Sequence, residues 1–341
     1  TGYSALNQDA LTSSDQFISA FSWIKNRDAT DNHMLFDRVR GATKDWHSNT
    51  DVVEVTNVNT LQSFLAGGVQ VGNDAEVNTA NESFVLWNWM MEATGSGSSN
   101  TDGTINTTST LVDTTLGMSI STYTGASVNG AGTTIGHGLG VAPEMILVKN
   151  LSYANSPAVY HSGSWVSASD PGTLFLSGTA ARSADTNVFG TSGAVTSSTF
   201  TVGDWRGTNY ASELFVAYCF APSQFISLGS YEGNGNADGA FVPTLNSLGV
   251  PLQPVFRLTK NIDAVGDWLI QDTGRSPYNV ANAQLKPNQA EAETTGNIYD
   301  IDTGGFKERA ASSLTNKANT HIQLVVGTPI IDTDGRIIAG R

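Results

Sequence analysis

One cysteine, Cys219, is all the thiol chemistry in 341 residues, so the chain holds no disulfide framework and no cysteine-based metal site. It lies inside the apolar run Phe215-Val216-Ala217-Tyr218-Cys219-Phe220, where a thiol is expected to be buried and inert. Charge is also scarce. Asp, Glu, Lys and Arg make up 14% of the residues, and 17 Lys and Arg face 31 Asp and Glu. The formal charge of −14 repels a phosphate backbone, so no nucleic-acid partner is expected. No run of 18 apolar residues occurs, and no membrane insertion is expected.

Motifs that carry chemistry are equally thin. The five histidines (His33, His47, His137, His161, His321) do not pair at metal-ligand spacing. No serine sits in Gly-x-Ser-x-Gly. Gly233-Asn234-Gly235 is followed by no Gly-Lys-Ser/Thr, so its glycines are read as turn residues rather than a phosphate cradle. Asp332-Thr333-Asp334-Gly335 has half of a calcium loop but lacks the later Glu, and reads as a hairpin turn. A glycan-cleaving enzyme needs two carboxylates roughly 5–10 Å apart. Asp37, Asp113, Asp204, Asp263, Asp267, Asp272, Asp300 and Asp302 are available, but most stand in turn contexts where Asp is common. No catalysis, cofactor or metal is expected.

Repetition is what the chain does have. Trp23-Ile24-Lys25-Asn26 recurs as Leu147-Val148-Lys149-Asn150 and Leu258-Thr259-Lys260-Asn261, with the lysines 124 and 111 residues apart. A period this long marks duplicated domains rather than a solenoid. Other landmarks keep step. About two dozen residues after each Lys comes an apolar residue before a turn, in Trp46-His47-Ser48-Asn49, Phe175-Leu176-Ser177-Gly178 and Leu285-Lys286-Pro287-Asn288. Short alternating strands follow at Val69-Gln70-Val71, Phe200-Thr201-Val202 and Phe306-Lys307-Glu308. Each copy closes on an apolar run: Phe84–Met90, Phe215–Phe220 and Ile322–Val326. Returning strands are expected at His33–Gly41, Pro157–His161 and Trp268–Asp272, each making a hairpin with its Lys-Asn strand. Opening strands are expected at Ile120–Gly125 and Ile226–Gly233. Thr1-Gly2 stand in the same place before Lys25, so the chain is expected to begin inside the opening strand of its first copy, as a fragment of a longer polypeptide.

The expected fold is therefore all-β, three tandem antiparallel β-sandwich modules of concanavalin or jelly-roll type, with a short C-terminal hairpin. Module 1 spans 1–93, a Gly/Ser linker and hairpin 94–118, module 2 119–224 and module 3 225–329. The C-terminal hairpin, 330–341, would start a shaft or an oligomerisation segment.

Tyr123-Thr124-Gly125, Gly136-His137-Gly138-Leu139-Gly140-Val141-Ala142-Pro143-Glu144 and Ile146–Asn150 together resemble a module found in structural proteins of marine tailed bacteriophages. Tyr218-Cys219-Phe220-Ala221 and Gly229-Ser230-Tyr231-Glu232-Gly233-Asn234-Gly235 are similar to the same family, as are Trp23–Arg40 and Asn81–Met90. The third copy departs most, since Ile322–Val326 lacks the closing aromatics. The resemblance implies a virion protein on the outside of the particle, in a tail fibre or related appendage, or in a capsid decoration fibre. It implies a homo-oligomer of trimeric symmetry, partnered by other tail proteins and by a host-surface glycan or receptor.

Tryptophan offers the best clue to binding. Trp23, Trp87 and Trp89 lie in apolar strands and are expected in the core or against a neighbouring module, whereas Trp46, Trp165, Trp205 and Trp268 lie near turns. A flat aromatic face beside Asn, Asp and Arg can hold a sugar ring. Trp205 and Arg206, with Asp204 and Asn209, form the candidate glycan site. Packing at the edge of a sandwich is the competing role for Trp205. Two other functions stay open: a carbohydrate-binding module array of a secreted or surface protein, and a glycan-cleaving enzyme.

Overall fold

The computed structural model describes residues 18–92, 95–126, 133–190 and 195–330, and these fold almost wholly as antiparallel β-structure. Module 1 contains β1 (Ile18–Asn26), β2 (Met34–Asp37), β3 (Lys44–His47), β4 (Val55–Thr56), β5 (Leu61–Leu65), β6 (Gly68–Val71) and β7 (Phe84–Met91). β8 (Thr107–Asp113) falls in the expected linker and hairpin 94–118 but pairs with β9 (Met118–Thr124) and so joins module 2, which also contains β10 (Thr133–Gly136), β11 (Met145–Asn150), β12 (Ala158–His161), β13 (Leu174–Phe175), β14 (Thr199–Val202) and β15 (Leu214–Phe220). Module 3 contains β16 (Ile226–Glu232), β17 (Phe241–Pro243), β18 (Leu252–Asn261), β19 (Leu269–Asp272), β20 (Ala281–Gln284), β21 (Thr294–Asp302), β22 (Gly305–Glu308) and β23 (Thr320–Pro329). The expected opening strand at Thr1-Gly2 and all but Ile330 of the expected C-terminal hairpin lie outside the described residues.

One large sheet per module repeats the same order. They run β4-β3-β2-β1-β7, β13-β12-β11-β15-β9-β8 and β16-β23-β18-β19. In each, the Lys-Asn strand lies between the closing strand and the returning strand. The register is shared, because Lys25 faces Val85, Lys149 faces Val216 and Lys260 faces Ile322. The residue after the hairpin that enters the third strand is Trp46, Leu174 and Leu285, facing Leu35, Val159 and Ile270. The second copy is thus aligned one residue earlier than its Phe175-Leu176 turn suggests. The middle strands β6, β14 and β22 belong to smaller sheets, β5-β6, β10-β14 and β17-β22-β21-β20.

Two apolar faces explain why the closing strand β15 reads as an unbroken run. In β15, Phe215, Ala217 and Cys219 enter a core private to module 2, while Val216, Tyr218 and Phe220 enter a second core on the other side of the sheet. Period-two alternation disappears when both faces of a strand are buried. That second core is common to the whole molecule. Phe21, Trp23, Trp46, Trp87 and Trp89 of module 1 meet Met145, Leu147, Tyr218 and Phe220 of module 2 and Phe256, Leu258, Trp268 and Leu324 of module 3. Trp89 and Phe256 cross edge to face at 5.4 Å, and Phe21 lies 4.9 Å from Tyr218. The large sheets therefore turn one face inward to each other and the other toward their own small sheets.

Candidate functional site

Each Lys-Asn pair occupies the last two positions of its strand, so the two side chains leave on opposite faces. All six are fully buried. The asparagine ends the strand. Its Oδ1 accepts from the amides two and three residues ahead: Asp28 and Ala29 at 3.0 and 3.3 Å, Ser152 and Tyr153 at 2.9 Å, Asp263 and Ala264 at 3.1 and 3.2 Å. This side-chain mimic of a backbone turn is what Asn does best. Its Nδ2 donates to Asp31 and Glu82 in module 1, to Glu213 in module 2, and to the Ser313 carbonyl in module 3.

The lysine links modules in the second and third copies and stays within its own hairpin in the first. Lys149 Nζ donates to Asn155 O at 2.7 Å within its own hairpin and to Asp51 O of module 1 at 3.0 Å. Lys260 Nζ donates to Gly266 O at 2.6 Å and to Thr179 O of module 2 at 3.0 Å. Lys25 Nζ donates to Asn26 O at 2.6 Å and Ala29 O at 3.1 Å. Burial pushes all three ammonium groups down to about 8.

The residue after each Asn carries the same relation through its carbonyl. Glu54 N donates to Leu151 O (3.2 Å), Arg182 N to Ile262 O (2.9 Å) and Glu293 N to Arg27 O (2.8 Å). Module 1 thus docks on module 2, module 2 on module 3, and module 3 on module 1. The contact is head to tail, and it closes after three steps.

A second set of corners seals the same ring. Asp37, His161 and Asp272 end the returning strands at equivalent positions, facing Phe21, Met145 and Phe256. Each is met by the closing strand of the next module. Tyr218 OH donates to Asp37 Oδ2 at 2.6 Å, Trp87 Nε1 donates to Asp272 Oδ2 at 2.9 Å, and His161 Nε2 lies 3.1 Å from Gln323 O. Because His161 Nδ1 accepts from Gly163 N at 2.9 Å, Nε2 carries the proton and donates. Burial holds this imidazole down to about 4, so it is neutral near pH 7. Both Asp carboxylates are held by an arginine three residues on. Arg40 and Arg275 donate backbone N–H to Oδ1 at 2.8 and 2.9 Å, then reach Glu54 and Glu293 at 2.9 Å. Asp37 and Asp272, two of the carboxylates available to an enzyme, are bound into these corners, and Asp113 accepts from Leu116 N and Glu92 N in a turn.

The four candidate glycan-site residues fall in one loop, between β14 and β15, with unequal roles. Asn209 is fully buried: its Nδ2 donates to Gly203 O at 2.9 Å and its Oδ1 accepts from Ala126 N at 2.9 Å. Asn78 does the same for Gly72 O in module 1 at 2.8 Å, so Asn209 belongs to a duplicated turn. Trp205 is half-buried, edge-on to Phe175 at 5.4 Å, and its ring covers Gly207, where a Cβ would stand 1.8 Å from it. Asp204 is exposed. Arg206 forms an ion pair with Glu213 and lies 3.3 Å from the centroid of Tyr153 and 4.6 Å from that of Tyr210. Tyr153 and Tyr210 are each 43% exposed. The solvent-facing aromatic surface beside Arg206 is therefore supplied by Tyr153 and Tyr210, which the sequence reading passed over. Tyr153 stands three residues beyond the second Lys-Asn pair, in a hairpin loop that varies between copies.

Of the tryptophans near turns, Trp46 and Trp268 are buried at the module boundaries. Trp46 Nε1 donates to Tyr218 OH and Trp268 Nε1 to Phe175 O, both at 3.0 Å. Trp165 packs on Tyr160. Among the described residues, no cluster of three His, Cys, Asp or Glu is arranged to hold a metal ion.

A family profile, the domain of unknown function DUF7483, matches residues 2–325. The chain belongs to the DUF7483 family. No curated protein and no solved structure matches it. The matched stretch takes in all three modules.

Proposed function

We propose that the chain is a structural protein of a tailed-phage virion, part of a tail fibre or related appendage on the outside of the particle, presenting loops for attachment to the host surface. The observation that supports this most is the head-to-tail ring. Its buried polar groups hold modules together, while loops of differing sequence ride on equivalent corners, and variable loops on a fixed scaffold suit recognition. Its threefold plan also suits a place on a trimeric fibre, whose partners would be other tail proteins and copies of this chain. The attachment surface is the Tyr153–Arg206–Tyr210 group with Trp205 beside it, a shallow aromatic site of the kind that stacks on a sugar.

Immunogold labelling of particles with an antibody raised to the purified chain should mark an appendage, and peptides of the chain should be found in purified particles by mass spectrometry. Absence from the particle sinks the virion role. Glycan-array binding should be lost in Arg206→Ala and Tyr210→Ala while the circular dichroism spectrum is kept. Binding that survives both changes removes this loop from attachment. Light scattering on the chain with and without residues 330–341 tests self-assembly: a trimer that falls apart on truncation supports it, and a monomer in both cases makes the single-chain ring the assembled unit.

A further inference from the structure

The edge of β7 differs from its two counterparts. Among the described residues β7 pairs with β1 on one side and has no strand on the other, whereas β15 is paired there by β9 and β23 by β16. The difference shows in burial. Leu86 is 42% exposed, while Ala217 and Gln323, its register equivalents, are 0% and 4% exposed. Val85, Asn88 and Met90 are likewise only half-buried.

A groove of about 350 Å³ runs along this edge, lined by Val85–Met90 on one side and by Leu116, Phe256, Gly274 and Val326 on the other. Its far wall is the module 3 corner at Asp272–Gly274. The equivalent corner of module 2 is covered by β16: a Cβ on Gly163 would stand 3.0 Å from Ser230. Gly274 meets only its neighbour Asp272. The same wall is thus covered by an opening strand in one corner and lines an open groove in the other.

We propose that this groove takes one extended polypeptide strand, added antiparallel to β7, with apolar residues at alternate positions and Ser or Gly between them. Its chemistry is read from the strands that fill the same place. Facing Tyr218 and Phe220 are Ile120 and Met118, and facing Leu324 and Val326 are Leu228 and Ile226; these apolar residues enter the shared core. Facing the intervening Ala217 and Cys219 are Ser121 and Ser119, and facing Gln323 and Val325 are Gly229 and Ser227. On β7 the apolar pair would lie opposite Trp87 and Trp89, and the small pair opposite Leu86 and Asn88. A free sheet edge supplies the backbone donors and acceptors, and a recessed wall selects a single strand over a second sheet.

The test uses the full chain and two synthetic peptides with the sequences Met118–Thr124 and Ile226–Glu232, against a control in which apolar and small positions are exchanged. At millimolar peptide, both should raise the melting temperature, slow amide exchange at Val85–Met90 and alter tryptophan fluorescence, and the control should do none of these. Gly274→Phe fills the groove from its far wall, and Leu86→Glu places a charge on its exposed side; each should weaken binding at least tenfold while the unliganded fold is kept. Equal binding of the control, no binding by either peptide, or full protection of the β7 edge before peptide is added would overturn the proposal.

Discussion

Tyr218→Phe removes one oxygen atom from the boundary between modules 1 and 2, and its effect should be felt by the entire molecule. The hydroxyl donates to Asp37 Oδ2 at 2.6 Å and accepts from Trp46 Nε1 at 3.0 Å, and all three side chains are fully buried. A hydrogen bond to a carboxylate contributes about 1.5–3 kcal/mol, and a buried donor left unpaired costs about 1–3 kcal/mol. Arg40 continues to neutralise Asp37, which places the expected loss near the lower end, about 3 kcal/mol in total. Urea unfolding followed by tryptophan fluorescence and by far-ultraviolet circular dichroism should show one shifted midpoint with both probes and an unchanged m value. The shared core requires this, since module 1 cannot open without exposing apolar faces of the other two. Trp46→Phe combined with Tyr218→Phe should cost about 1 kcal/mol less than the sum of the single changes, because the stranded indole N–H is gone. A loss under about 1 kcal/mol, or a transition that moves for one probe and stays for the other, would refute the coupling.

Arg257→Met should cost about 3–5 kcal/mol, because it leaves Glu308, 2.7 Å away and 1% exposed, as an uncompensated buried charge, and adding Glu308→Leu should restore most of the loss. Chemical denaturation of the single and double variants checks both statements. Gly207→Val should push the Trp205 ring off Phe175, red-shift the tryptophan emission and cost about 1–3 kcal/mol. Burial lowers His161 and His321 to about 4, so between pH 6.5 and 4 the unfolded chain binds protons that the folded chain does not. Their contribution is complete above pH 6.5 and is lost as pH falls through 4, by at most about 3 kcal/mol for each histidine; melting temperatures across this range should fall, and less steeply in His161→Gln. Lys25, Lys149 and Lys260, lowered to about 8, act in the same direction on the alkaline side, so stability should rise from pH 8 toward pH 10.

The large sheets were legible because their signals are local. The Lys-Asn strand, the hairpin that returns from it and the closing apolar run each occupy a few contiguous residues, and all three recur in register. Fusion of the modules into one core was less visible. The sequence sign was the loss of alternation in Phe215–Phe220, which says that both faces are covered without saying by what. Asp37-x-x-Arg40 and Asp272-x-x-Arg275 also repeat, but the second module carries His161 and Ser164 there, so the pattern breaks at the copy that would have confirmed it. Trp46 and Trp268 were read only as lying near turns, and their burial was hidden for a similar reason. A tryptophan beside a turn is exposed in an isolated sandwich, and only the neighbouring module supplies Tyr218 OH and Phe175 O to its indole N–H. At the Trp205 loop, the roles of the side chains were not readable: Asn209 repeats a scaffold bond of module 1, and the open aromatic faces come from Tyr153 and Tyr210.

Head-to-tail contacts generate a closed ring when the rotation between neighbours returns to the start, and in a trimer of identical chains all three junctions must be the same. Joining three modules in one polypeptide lifts that restriction while the geometry is kept. The backbone part of each junction stays constant, as Glu54, Arg182 and Glu293 donate in turn to Leu151, Ile262 and Arg27. The side-chain part diverges: Tyr218 to Asp37, His161 to the Gln323 carbonyl, Trp87 to Asp272. Divergence at the junctions is tolerable because each donor still finds a buried acceptor, and it frees the loops above them to differ. The second module alone carries tryptophan and arginine where the first has Asp74 and Ala75, and in the first alone, among the described residues, the outer edge of the closing strand is left without a paired strand. A threefold frame that carries unequal faces can meet a symmetric mount on one side and an asymmetric partner on the other, which a ring of identical subunits can do only by leaving some of its sites unused.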